Sequence, residues 1–384
     1  MNETSTRLPL LDVLRAIAAM LVLILHYEQL LYFVPPSGWP GISISDQRLW
    51  FGLLGADLFF VISGAVILLT VERTKSAWEF AVRRIARLYP AYWASVAFCG
   101  AYFLATSDIS LGRVLLNFTM LQKFFAVPGI DPAYWTLAYE LSFYVAIGAC
   151  SAAGLTDRID KIALIWLACA FPLRFCGIDL QASRLSLVVM PQFGHLFIAG
   201  MMIFRVASGR ATPSTLIALS LCLVYSLFGR TDWAKISSVP YFVANATFIF
   251  SVWLALSYRG PCPGLSWLVG LGQCSYSLYL FHFPIGVMLI ALTDAVGQPR
   301  VLGIGLAIPV SFACAFLVRR YIEIPGQSLF KRRLARLRSG SKLHLQRTPI
   351  FGAGFTSYRP QSLSSQRLSL AKQVLHFART ILRK

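Results

Sequence analysis

The chain has 384 residues, of which 57% are hydrophobic and only 13% charged, and its formal net charge is +19. Soluble domains carry about 25% charged residues, so a soluble enzyme is excluded and a membrane-embedded helical protein is indicated. Apolar windows of the roughly 20 residues that cross a bilayer recur along most of the sequence.

In chain order, ten spans are predicted near residues 10–33, 50–71, 90–106, 133–153, 161–177, 189–207, 213–229, 240–258, 274–294 and 301–321. Pro90, Pro213, Pro240 and the break at Gln298, Pro299 and Arg300 mark edges. The predicted fold is all-α, a polytopic membrane helix bundle with about ten transmembrane helices, and no internal repeat is evident. The first apolar segment carries Arg15 and His26 and lacks a small-residue cleavage site, so it reads as a retained helix rather than a signal peptide. The eight cysteines are scattered without CxxC or Cys/His ligand spacing, which suggests buried thiols and no metal site.

An even number of spans places both termini on one side. Eleven Lys/Arg then fall in the inner segments before the tail against seven in the opposite loops, and residues 324–384 add 13 Lys/Arg with no Asp or Glu. The positive-inside rule therefore predicts cytoplasmic termini. Residues 331–384 are predicted to form a basic cytoplasmic tail. Leu368, Ala371, Leu375, Ala378 and Leu382 recur at helical spacing opposite Lys372, Arg379 and Arg383, suggesting an amphipathic helix over 366–384. Contact with anionic membrane lipid, at about 1 kcal/mol per basic residue, accounts for such a tail better than nucleic acid does.

Ionisable groups within spans cost about 2.5–3.5 kcal/mol each on insertion scales, so each needs a reason. In the first span Arg15 and His26 are eleven residues apart, which puts them on one helix face about 16 Å apart along the axis. Asp12 is placed to pair with Arg15, and a snorkelling anchor is the alternative reading of that arginine. His26 is suited to general-base work near neutral pH. Depth bookkeeping puts Asp57 of GADLFFVISG and Glu140 of WTLAYELSFY in the same layer as His26, so either carboxylate is a candidate to orient it. Arg83, Arg84 and Arg87 form a dense cationic surface before the third span, suited to phosphate. His282, with Ser275, Tyr276, Ser277 and Tyr279 nearby, is expected just before a helix break at Pro284, and Glu323 closes the tenth span. Ser63 lacks an evident base.

These segments resemble the acyltransferase-3 family of bacterial membrane acyltransferases over roughly residues 8–330. The likeness lies in the Arg15/His26 pair, LFFVISG from Leu58 to Gly64 and RRIARLYPAYW before the third span. It continues through WTLAYELSFY from Trp135 to Tyr144, SYSLYLFHFP from Ser275 to Pro284 and EIP from Glu323 to Pro325. The resemblance implies one transmembrane domain over 1–330 in the bacterial cytoplasmic (inner) membrane. It implies transfer of an acyl group, usually acetyl, from cytoplasmic acyl-CoA to a sugar hydroxyl on a surface or exported glycan, such as an exopolysaccharide or lipopolysaccharide. It marks Arg15 and His26 as essential, Arg83, Arg84 and Arg87 as candidates for the CoA phosphates, and Glu140 and Glu323 as acidic positions of the pattern. Asp12, Asp57, Trp135, Tyr276 and His282 are supporting candidates. Acyl-CoA is then the donor substrate, and no bound cofactor or metal is implied. Two other classes are open: a transporter or flippase lined by the same charges, and a scaffold whose polar residues only glue helices.

Overall fold

The computed structural model describes residues 8–32, 50–107, 109–175, 184–228 and 236–333. The basic tail, with its predicted amphipathic helix, lies outside the described residues apart from its first three positions. The described chain is all-α. Its helices are α1 (Pro9–Tyr32), α2 (Leu54–Glu72), α3 (Ala77–Thr106), α4 (Leu111–Asn117), α5 (Trp135–Ala152), α6 (Ile159–Phe175), α7 (Leu185–Val189), α8 (Gly194–Ala207), α9 (Pro213–Ser226), α10 (Ser238–Ser257), α11 (Ser266–Ala295) and α12 (Arg300–Val318).

Each of the ten predicted windows coincides with a helix, but length and apolarity establish fewer crossings. Six segments are long and apolar enough: Pro9–Tyr32, Trp50–Glu72, Leu185–Ala207, Ser238–Ser257, Pro263–Ala295 and Arg300–Arg333. A seventh is reached if α5 and α6, which bend by 117° at their junction, form one broken span. The protein is therefore multi-pass, and the count of ten is not established. Helix α9 has only 14 residues, and the first half of α3 is diluted by its arginines.

Two predicted edges also move. Pro90 lies inside α3, which begins at Ala77, and Pro284 lies inside an unbroken α11. The missing N–H of Pro284 leaves the Leu280 carbonyl without its helical donor. Ser95 of α3 supplies one instead, its hydroxyl donating to that carbonyl at 2.8 Å, as a membrane interior requires. The start of α3 is set by Ser76, whose side chain accepts from the Glu79 N–H while the Glu79 carboxylate accepts from the Lys75 N–H. That N–H, followed by Arg83, holds the Glu79 carboxyl below its ordinary value.

The centre of the bundle is α1, packed against α2 and α11. Gly272 of α11 abuts the Asp12 carbonyl and Gly286 abuts Tyr27 and Leu30, so α1 and α11 run parallel. Gly55 of α2 abuts the Ala18 carbonyl and Gly52 abuts Leu21 and Leu25, so α2 runs antiparallel to α1. Helices α2 and α8 meet through a reciprocal pair, Gly64 against the Phe197 carbonyl and Gly200 against the Val61 carbonyl, each too close for a methyl group. Past Val318 the helix widens into a π-helical turn, Arg319–Glu323, whose last residue, Glu323, is buried in the bundle. Of the cysteines in the described residues, Cys99 and Cys222 are buried, Cys169 is exposed against expectation, and all are free.

Between α4 and α5 the chain folds into a cap. Asn117 bonds the Arg113 carbonyl and the Ile130 N–H, and Arg113 donates to the carbonyls of Pro128 and Gly129. Asp131 sits in this cap, buried, its Oδ1 accepting from the Ala133 N–H at 2.7 Å and its Oδ2 unpartnered among the described residues. Burial raises its carboxyl from the ordinary 3.8 to about 8.

Two outcomes follow from this packing. Gly200→Ala should cost about 1–3 kcal/mol by overpacking, read as thermal unfolding in detergent, whereas Gly305→Ala, inside α12 and meeting open space, should not destabilise and gains up to about 1 kcal/mol from helix propensity. Because the folded-state carboxyl of Asp131 titrates above its unfolded value, its ionisation penalises the fold increasingly between the two values. Asp131→Asn should therefore melt higher than wild type, by a margin that grows from about pH 4 to about pH 8 and then levels. A margin independent of pH would assign the effect to packing instead.

Candidate active site

A cavity of about 360 Å³ runs along one face of α2 from Arg73 to Ala56. Its mouth is cationic, formed by Arg73, Arg83, Arg84, Arg87 and Lys331, and Arg15 of α1 lines it further in. Its middle carries Ser63, Glu140, Tyr144, Ser275 and Tyr276, and its inner end is closed by Phe59, Thr136 and Tyr279. From Thr70, which accepts from Arg84 at 2.6 Å, to Ala56 is fourteen residues of α2, or about 21 Å of helix.

The cations lining the cavity are not equivalent. Arg15 is neutralised by Asp12 at 2.8 Å and Arg83 by Glu79 at 2.7 Å. Arg87 is paired with the fully buried Glu323, which also accepts from Ser277 at 2.7 Å. Among the described residues Arg84 has no carboxylate partner; its guanidinium lies 5.5 Å from the Tyr144 ring and its buried Nε is unsatisfied. Arg73 and Lys331 are exposed at the rim, and no ion pair is recorded for either among the described residues.

Beyond the inner end lies a pair of buried histidines. His26 Nδ1 and His282 Nε2 are 2.7 Å apart with the rings stacked at 5.0 Å, and His282 Nδ1 is 3.0 Å from the Leu278 carbonyl. A carbonyl only accepts, so His282 Nδ1 carries the proton and its Nε2 is a lone pair. His26 Nδ1 must then be the donor, which leaves His26 Nε2 as the basic nitrogen. A helix carbonyl and a second imidazole thus fix the base tautomer, the role a carboxylate plays in hydrolase triads. Tyr279 joins the pair to the cavity: its ring centroid lies 6.1 Å from that of His282 and 5.9 Å from that of Phe59.

The structure brings some predicted residues together and separates others. Arg15 joins Arg83, Arg84 and Arg87 around one cavity, with Glu140 and Tyr276 on its wall and Glu323 bonded to Arg87. The expected layer of His26, Asp57 and Glu140 does not form. Glu140 accepts instead from Ser63 at 3.1 Å and Tyr144 at 2.6 Å, so Ser63 does have a carboxylate beside it. In the α1/α2 register, Gly55 lies opposite Ala18 and Val22, so Asp57, fully buried, sits well below His26. Trp135 does not line the cavity; it packs on Phe60, Tyr139 and Phe193 at the foot of the cap, where Lys123 lies over Tyr139 at 4.4 Å. Burial lowers that lysine to about 8. Arg73, Lys331 and Thr136 are not singled out from sequence, and Tyr279 is named there only as a neighbour of His282. The first two read as topogenic charges and the last two as helix polarity; only their depth relative to α2 marks them.

A family model described as an acyltransferase domain, Acyl_transf_3, matches residues 8–320. The chain belongs to this acyltransferase-3 family and is a membrane-embedded enzyme transferring acyl groups other than aminoacyl groups. Among curated relatives, the exopolysaccharide production protein ExoZ of Rhizobium meliloti (strain 1021) is 28% identical over 303 residues, covering 74% of this chain and 90% of that protein. A protein of Staphylococcus aureus (strain COL) named "Putative O-acetyltransferase SACOL0978" is 26% identical over 371 residues, covering 83% of this chain but 57% of its own length. No solved structure matches the chain significantly.

With its Nδ1 proton on the Leu278 carbonyl, His282 acts only through His26. His282→Gln should lower turnover by about 10–10²-fold while leaving donor binding intact, a loss smaller than that from removing a general base outright. Equal losses in turnover and donor affinity would instead make His282 a packing residue.

Proposed function

We propose that this protein is an O-acyltransferase that moves an acyl group, acetyl in the simplest case, from cytoplasmic acyl-CoA to a hydroxyl of an exported or surface carbohydrate. The observation that carries the donor reading is the graded cavity: unneutralised cations at one end, hydrogen-bonding side chains in the middle and a tip beside a histidine pair. A diphosphate suits the mouth. The pantetheine arm has thirteen bonds from phosphorus to sulfur, or about 16 Å at the roughly 1.2 Å per bond of an extended chain. That length carries a thioester from Arg84 to the region of Thr136 and Tyr279. The two amides of the arm match Ser63, Glu140 and Tyr144 along the way, whereas an apolar lipid-borne donor would leave those groups unsatisfied.

In the reaction, His26 Nε2 takes the proton of the acceptor hydroxyl and the oxygen attacks the thioester carbon. The C–S bond breaks, and the departing thiolate takes the proton back from His26, giving ester and free CoA. The acceptor class rests on the names of the relatives, an exopolysaccharide production protein and an O-acetyltransferase. The positive-inside pattern supports cytoplasmic termini, with the cationic mouth on the same side, in the inner membrane of the host.

The test is mass spectrometry of host surface and exported polysaccharides in wild type, a deletion, and a deletion complemented with His26→Ala. Loss of one acyl mass in both mutants is expected, with purified His26→Ala turning over about 10²–10⁴-fold more slowly. Arg84→Gln should weaken acyl-CoA binding by more than tenfold, and Arg83→Gln, already neutralised by Glu79, by less than threefold. An unchanged acylation profile in the deletion would overturn the proposal.

A further inference from the structure

The donor reading leaves one role unfilled, because the oxyanion formed when the thioester carbonyl is attacked needs a hydrogen-bond donor. Arg15 lines the cavity, but it is held by Asp12 at 2.8 Å and lies about 16 Å along α1 from His26. Glu140 is an acceptor, and Ser63 and Tyr144 both spend their protons on it. At the inner end, where a 16 Å arm delivers the thioester, the cavity wall carries two hydroxyls, those of Thr136 and Tyr279.

We propose that Tyr279 is a catalytic residue whose phenol donates to the thioester carbonyl oxygen as it becomes an oxyanion. This rests on the donor reading above. Three features of the site carry it. Tyr279 lines the tip of the donor cavity and lies one helical turn before His282 on α11, so donor and base are approached from one side chain. Its hydroxyl is held between the Ala133 carbonyl at 2.7 Å and Thr136 Oγ1 at 2.6 Å, which fixes the oxygen in place. The proton is nevertheless not committed there. Thr136 Oγ1 itself lies 3.2 Å from the Ala133 carbonyl and can donate to it. When Thr136 does so, Tyr279 turns its proton into the cavity without leaving a buried carbonyl unpaired, the cost that ordinarily pins such a group.

The step conserves the tyrosine. The acceptor oxygen bonds to the carbonyl carbon, the carbonyl π pair moves onto oxygen, and the Tyr279 O–H hydrogen-bonds that oxygen without transferring its proton. When the C–S bond breaks, the carbonyl re-forms and the phenol returns to Thr136 and Ala133. Phenol donors of this kind act by being fixed before the charge develops.

The experiment uses the purified full chain in nanodiscs, with acetyl-CoA turnover and binding of a non-reactive CoA thioether measured for wild type, Tyr279→Phe, and protein carrying 3-fluorotyrosine at position 279. Tyr279→Phe keeps the ring on Phe59 and should lower kcat by about 10²–10³-fold with thioether affinity within twofold of wild type. The fluorinated phenol, a stronger donor of nearly the same size, should raise kcat. A Tyr279→Phe protein that binds the thioether normally and turns over within twofold of wild type would overturn the role of Tyr279 and leave the donor cavity standing. Loss in Tyr279→Phe with no response to fluorination would reduce the hydroxyl to a structural latch and also overturn it. Failure of wild type to bind the thioether at all would overturn both readings together.

Discussion

Everything at the site depends on the close approach of α1 to α11. Gly272 against the Asp12 carbonyl brings the two backbones into contact, and Gly286 makes room for the side chains of Tyr27 and Leu30, so two long apolar helices pack closely in parallel. With α1 and α11 parallel, the register set by these two glycine contacts brings His26 beside His282. Tyr27 then bolts the two further, its hydroxyl reaching the His282 carbonyl at 3.0 Å and Ser311 of α12 at 2.7 Å. Lipid provides no hydrophobic drive between helices, so small residues and buried hydrogen bonds must hold them, and here they fix the register of His26 against His282 at the same time.

The same economy governs the polar groups. In a bilayer interior each unsatisfied group costs several kcal/mol, and the bundle repeatedly uses one helix to satisfy another. Ser95 of α3 covers the carbonyl freed by Pro284 on α11. The π-turn after α12 ends on Glu323, which meets Arg87 of α3 and Ser277 of α11. These contacts tie the cationic start of α3 to the helix that carries the histidine, so the two ends of the cavity are parts of one framework. Rigidity of that kind matters to any substrate held along the cavity, because a misplacement of about 1 Å can cost a hundredfold in rate.

What the sequence made legible were residues whose cost in a membrane demands a reason. Arg15, His26, Glu140, His282, Glu323 and the arginines before the third span were identifiable as charges or imidazoles in apolar windows, and the helices around them by length and apolarity. Partners were not legible. His26 was expected beside a carboxylate because carboxylates are the usual orienting groups, yet whether Asp57, Glu140 or His282 meets it is decided by the register of α2 and α11 against α1. That register is set by glycines at 52, 55, 272 and 286, which carry no pattern until the facing helix is known. Pro284 misled for a related reason: the rule that proline ends a helix assumes water for the freed carbonyl, and here another helix takes its place. Arg73 and Lys331 escaped notice because a basic residue at a helix end is ordinarily an anchor.

The neutralisation pattern along the cavity then separates holding from binding. Arg87 and Arg15 are spent on Glu323 and Asp12, and a guanidinium already paired has little to gain from a second anion, since the new attraction must first pay back the broken one. Arg84 has an unsatisfied nitrogen inside the wall and an aromatic face beneath it, so a phosphate oxygen would there replace a deficit rather than a partner. The three arginines therefore divide by environment: Arg83 pairs with Glu79 at the start of α3, Arg87 locks it to the bundle through Glu323, and Arg84 lines the cavity without a carboxylate partner among the described residues.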